Sequence, residues 1–147
     1  MGIRRKGREV ALQTLYSLSY MDIMDKSIQE AYLNSYREKM TGIISDMNIK
    51  EDSKIISFAD EVIKNLLPNI DAIDLEIKKY SANWSLENIA KVDKSILRIA
   101  VFELLFTETP SAIIMNEAIE ISKKFSSESS GKFINGILNA VADGNNE

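Results

Sequence analysis

Prolines stand at only two positions of this 147-residue chain, Pro68 and Pro110, and glycines at six. That is too little punctuation for an all-β protein, whose many tight turns need residues with special backbone angles, so an all-α fold is expected. Apolar residues make up 45% of the chain and charged residues 27%, enough to build a core and far from the composition of a disordered chain. The length suits one compact domain or two small subdomains sharing a core. Cysteine and histidine are both absent, which excludes disulfides, structural zinc sites, Cys or Ser-His nucleophiles and imidazole bases. No apolar stretch approaches the length needed to cross a bilayer, and the basic start runs into an amphipathic segment rather than a signal-peptide core. A cytoplasmic location, away from membranes, is expected.

The net charge of −4 argues at first against nucleic acid as a partner. Its distribution does not. Residues 1–8 hold Arg4, Arg5, Lys6 and Arg8 and no acid, a local charge of +4, which leaves 14 cations against 22 acids, or −8, in the rest.

Apolar spacing predicts seven helices. Ala11, Leu15 and Leu18 mark the first, from about Arg5 to Tyr20, with the cationic arm at its start. A second is expected from about Lys26 to Ile44, carrying Ile28, Tyr32, Tyr36 or Ser35, and Met40, with Gly42 loosening its end. The polar run from Asp46 to Ser53 leads to a third (Ile55, Phe58, Ala59, Val62, Leu66) that stops near Pro68, followed at once by a fourth (Ile70, Ile73, Ile77, Tyr80). Ser81 to Ser85 read as a linker ending in a capping serine. Leu86 to Phe106 is apolar on a wide arc, as expected of a helix at the centre of a bundle. Beyond Pro110, Ile114, Ala118, Ile121 and Phe125 define a sixth helix; Ser126 to Ser130 interrupt the pattern and supply capping hydroxyls, and a seventh carries Phe133, Ile134, Ile137, Leu138 and Val141. The expected division is an N-terminal helical subdomain of about 1–80 and a C-terminal one of about 85–143.

Asp71/Asp74 and Glu117/Glu120 are carboxylate pairs on single helix faces, the arrangement of a two-carboxylate catalyst or a metal site. A solvated acidic face is the plainer reading, because no histidine or further carboxylate motif completes either site. Glycine-rich phosphate loops are absent as well, so no catalytic residue, metal or cofactor is expected. The arm of Arg4, Arg5, Lys6 and Arg8 offers three guanidinium forks and one ammonium for phosphates, or merely a solubilising terminus. Phe125 ends an apolar stripe as a core aromatic would, yet Lys123 and Lys124 precede it and a polar loop follows. An aromatic beside cations at a helix end can also stack on an unpaired base.

Four stretches carry a family resemblance. RRKGREVALQTLYS (Arg4 to Ser17) resembles the RR-x-x-RE-x-A-x-Q-x-LY opening of the NusB family of bacterial transcription antitermination factors. VDKSILRIAVFEL (Val92 to Leu104) is similar to that family's central helix, and IMNEAIEISKKF (Ile114 to Phe125) with GKFINGIL (Gly131 to Leu138) to its closing segments. The order is the family's, and residues 21–60 match only in helical character. One loop departs: where the family usually reads FG-x-x-D-S-x-KF, this chain reads FSSESSGKF, with Ser126 for the glycine, Ser129 for the aspartate and Gly131 before Lys132.

The resemblance implies a NusB-like fold of two small helical bundles around a central apolar helix. It implies a non-catalytic antitermination factor that binds the boxA element of nascent ribosomal RNA as a single strand. Its partners would be the small-subunit ribosomal protein NusE and, through it, the RNA polymerase antitermination complex. By matching positions, Arg4, Arg5, Lys6 and Arg8 would hold RNA phosphates, Phe125 would stack on a base, Ser130 and Lys132 would contact the strand, and Tyr16 and Asp93 would meet NusE. The same fold precedes the catalytic domain of certain ribosomal RNA cytosine methyltransferases, for which 147 residues leave no room. The competing reading is a protein-interaction module, a homodimer or partner binder without RNA.

Overall fold

The computed structural model describes residues 2–21, 27–50, 53–81 and 85–145. Every regular element among them is helical: α1 (Ile3–Leu18), α2 (Ile28–Asp46), α3 (Lys54–Leu66), α4 (Ile70–Tyr80), α5 (Lys91–Phe106), α6 (Ser111–Phe125) and α7 (Glu128–Asn145), with 3-10 turns at Leu67–Asn69 and Leu86–Asn88. The expected start of the second helix at Lys26 and the middle of the Ser81 to Ser85 linker lie outside the described residues. The chain divides into two units, Met1–Pro68 and Asn69–Glu147.

In the first unit α1 packs on α2 and α3. Its buried side is wider than the Ala11, Leu15, Leu18 stripe, because Val10, Leu12 and Thr14 are buried too. Tyr32, Tyr36 and Met40 form the buried side of α2, and the Tyr36 hydroxyl donates to Asp60 Oδ1 at 3.0 Å, tying α2 to α3. Gly42 does not loosen α2. The helix runs on to Asp46 and ends in a Schellman turn: Asn48 takes a positive φ of 57°, its N–H bonds Ser45 O, and the Ile49 N–H bonds Ile44 O. Ser27 and Ser53 cap α2 and α3 by accepting from the Glu30 and Ile55 N–H groups.

The second unit holds α4 to α7. The apolar helix α5 packs on α4, α6 and α7, and α4 also touches α7. The division therefore falls at Pro68 rather than near residue 80: Ile70, Ile73 and Ile77, all fully buried, place α4 with the C-terminal helices. The expected helix over Leu86 to Phe106 is two pieces. After the 3-10 turn, Ile89 and Ala90 are extended (φ −78°, ψ 132° and φ −54°, ψ 140°) before α5 begins. This brings Ile89 to a buried position, which offsets the helical bonds forgone. Ser85 precedes the 3-10 turn but makes no side-chain cap. Among the described residues no helix is long and apolar enough to cross a membrane.

Candidate nucleic-acid interface

The N-terminal end of α1 is electrostatically unfavourable for its own cations. A helix start exposes N–H groups and carries partial positive charge. Here Gly2 provides no side-chain cap and the first turn holds no acid, while Arg4, Arg5 and Lys6 add positive charge at the same end. Arg4 is exposed; Arg5 and Lys6 are half-buried. Such an end repels its own side chains and attracts an anion.

Arg8 departs from the expected role. It is only 3% exposed, and its guanidinium lies 5.4 Å from the centroid of Phe58. Helical spacing explains this: Arg8 sits at i, i+3, i+4 and i+7 with Ala11, Leu12 and Leu15 on the buried side of α1. A Cβ on Gly7 would meet Phe58 Cδ1 at 2.5 Å, so the absent side chain is what lets Phe58 lie against the arm. Further along, Tyr16 on α1 is 38% exposed and Tyr20, in the turn just past its end, 61%. Their rings meet edge to face at 5.1 Å, with the hydroxyls 2.7 Å apart. Tyr20 was not anticipated; its signal is the i, i+4 spacing from Tyr16.

In the second unit the serine-rich segment is the joint between α6 and α7, and α7 already begins at Glu128. Ser127 caps it, Oγ accepting from the Ser130 N–H at 3.1 Å. Asp93, in the first turn of α5, is 7% exposed. One of its oxygens accepts from Ser126 Oγ at 2.8 Å and the other from Ser130 Oγ at 2.9 Å. The carboxylate is thus turned toward the α6–α7 joint. Ser130 is likewise engaged, donating to Asp93 and accepting from Ser127 Oγ at 3.1 Å, so its hydroxyl serves the joint before any strand.

Phe125 is half-buried at the end of α6, with Lys124 Nζ 5.4 Å from its ring centroid. Half-burial suits both a core anchor and a ring that stacks on a base. Lys132 is exposed on α7. Beside this joint lies a cleft of about 360 Å³, bounded by Asn88, Ile89 and Ala90 on one side and Ser129, Ser130 and Phe133 on the other, with Asp93 in its wall.

The loop's departures from the family pattern are accommodated. Ser126 has φ −135°, outside the left-handed region that favours glycine. A Cβ on Gly131 would meet only Ser122 Cβ, at 3.8 Å, an ordinary contact. Of the carboxylate pairs, Asp74 binds Arg98 through two 2.8 Å hydrogen bonds and Glu120 pairs with Lys123 on the surface; no cluster of potential metal ligands occurs among the described residues.

Comparison with known proteins agrees with this arrangement of helices. Residues 5–143 match the NusB family. Transcription antitermination protein NusB of Citrifermentans bemidjiense is 41% identical over 146 residues, covering 97% of this chain and 95% of the relative. The protein of that name from Geotalea uraniireducens is 43% identical over 143 residues, with the same coverage. Among solved structures, NusB of T. maritima is 31% identical, with a TM-score of 0.74 over 95% of this chain and 90% of that one. A crystal structure of antitermination factors NusB and NusE in complex with double-stranded RNA superposes with a TM-score of 0.80 over 98% of both chains; at 24% identity it speaks to the fold alone. With residues 5–143 covered by the family match, a relative 41% identical over 97% of the chain and the helices matched in space, the chain belongs to the NusB family.

Proposed function

We propose that the protein is a transcription antitermination factor that works by binding rather than catalysis, in the cytoplasm, holding boxA-type RNA together with NusE. The observation that carries this reading is the α1 start: cations gathered, without an acid or a side-chain cap, at the helix end that already favours an anion. Arg4, Arg5 and Lys6 are the phosphate-binding group; Arg8, buried against Phe58, supports the arm from below. Phe125 provides the stacking ring, Lys132 a further phosphate contact, and Tyr16 with Tyr20 the partner-facing surface at the C-terminal end of α1. The −8 balance of residues 9–147 suits attraction of a basic ribosomal protein, through which the pair would reach RNA polymerase.

Filter binding of a boxA oligonucleotide to the wild-type protein and to Phe125→Ala tests it. The variant should stay folded and lose about 1–3 kcal/mol of affinity, the usual contribution of one stacked base. Undiminished binding by a folded variant would remove Phe125 from the interface, and unfolding would assign it to the core. Wild-type protein that binds no RNA would favour the interaction-only module.

A further inference from the structure

We propose that Asp93 is a positioning residue for RNA recognition: by accepting from Ser126 and Ser130 together, its carboxylate holds the α6–α7 joint so that Phe125 and Lys132 are presented in one fixed arrangement. The inference rests on the function proposed above and adds a residue that touches no RNA.

Both bonds, at 2.8 and 2.9 Å, have the ordinary length of an O–H···O hydrogen bond. Both oxygens are occupied, each by a residue on a different side of the α7 cap: Ser126 immediately follows Phe125, and Ser130 lies two residues before Lys132. Ser127 joins the set, accepting from the Ser130 N–H and donating to the Ser130 hydroxyl. The joint is therefore a continuous chain of hydrogen bonds ending on one buried acceptor. Asp93 itself sits in the first turn of α5, where the helix end favours negative charge. Packing of α5 on α6 and α7 keeps that acceptor in place. Glycine, the residue usual in the family at position 126, has no hydroxyl to offer, so the Ser126 half of the clasp is a property of this sequence.

If Asp93 acts through the joint, its loss and the loss of Phe125 remove overlapping contributions. Binding of a boxA oligonucleotide is measured for wild type, Asp93→Ala, Phe125→Ala and the double variant, with melting curves and a salt series for each. The account expects Asp93→Ala to bind about tenfold more weakly, and the double variant to fall within about threefold of Phe125→Ala alone. The salt slope should fall by no more than roughly 0.7, the share of the single Lys132 contact, because Arg4, Arg5 and Lys6 are intact. A role in stability alone would lower the melting temperature and leave affinity at the wild-type level. Should Asp93→Ala fold poorly, Ser126→Ala, which leaves the Ser130 bond, is expected to weaken binding about threefold with the same non-additivity. Wild-type affinity in the folded variants, or losses that multiply in the double variant, would overturn the proposal. Absence of RNA binding by the wild type would instead refute the functional reading beneath it.

Discussion

Asp74→Ala removes the carboxylate that engages Arg98 in the second unit. The pair is bidentate, with Nε and Nη2 each 2.8 Å from a carboxylate oxygen, and the side chains are 4% and 12% exposed for Arg98 and Asp74. Truncating one member of a buried pair typically costs about 3–5 kcal/mol, because a charge is left in a place it would not occupy alone. Asp74 lies at the edge of the buried region, so water can reach the gap, and about 2–4 kcal/mol is the expected loss. With a urea dependence of about 1–3 kcal/mol per molar, the unfolding midpoint should fall by about 1–2 M. Urea titration followed by circular dichroism reads this directly. A second variant separates pairing from packing: Asp74→Leu with Arg98→Met replaces the ions by apolar groups of similar bulk and should recover most of the loss. A midpoint for Asp74→Ala within about 0.3 M of wild type would refute the reasoning.

Three other outcomes follow from the same geometry. Arg4→Glu with Arg5→Glu should raise helix stability by about 0.3–1 kcal/mol per site, since acids suit a helix start; the pair should also weaken RNA binding and lower the salt slope by roughly 0.7 per lost phosphate contact, and loss of stability with RNA binding unchanged would contradict the role given to the arm. Gly7→Ala gains about 1 kcal/mol of helix propensity but forces a Cβ to 2.5 Å from Phe58; crowding of that kind costs about 1–3 kcal/mol, so thermal unfolding should show a net loss. Burial, and then the charge of Arg98, lower the pKa of Lys94. The folded state therefore binds this proton less tightly than the unfolded chain does, so stability from this group rises with pH between the lowered value and the ordinary lysine range. Comparing urea midpoints at neutral and alkaline pH, Lys94→Met should lack that rise; an identical alkaline profile would remove Lys94 as its source.

The helices were legible because apolar periodicity records burial. Ile73 and Ile77 are fully buried, and Val62 and Ile121 nearly so, as their spacing requires. Periodicity does not say which helix a stripe meets, so the packing of α4 on α5 and α7 was not legible. It is also silent on a polar first turn, which is why α7 starts at Glu128, well before its first apolar residue. The extended pair Ile89 and Ala90 contains neither glycine nor proline, and only packing reveals it. In the site, the arm was visible as charge, yet counting cations in a row hid the helical turn that buries Arg8. Asp93 could not have been joined to Ser126 and Ser130 from spacing, since 33 and 37 residues separate them. Asn48, by contrast, carried a readable signal: asparagine at a helix end tolerates the left-handed angle that closes α2.

The central claim is that this chain and NusE form one surface for boxA RNA. An electrophoretic mobility shift with a single-stranded boxA oligonucleotide, a scrambled strand and a duplex, each with and without NusE, tests it most directly. The account predicts a weak shift of boxA with the protein alone, a stronger one with NusE, and weaker retention of the scrambled strand and the duplex. No shift of boxA in either lane, or equal retention of all three nucleic acids, would contradict it.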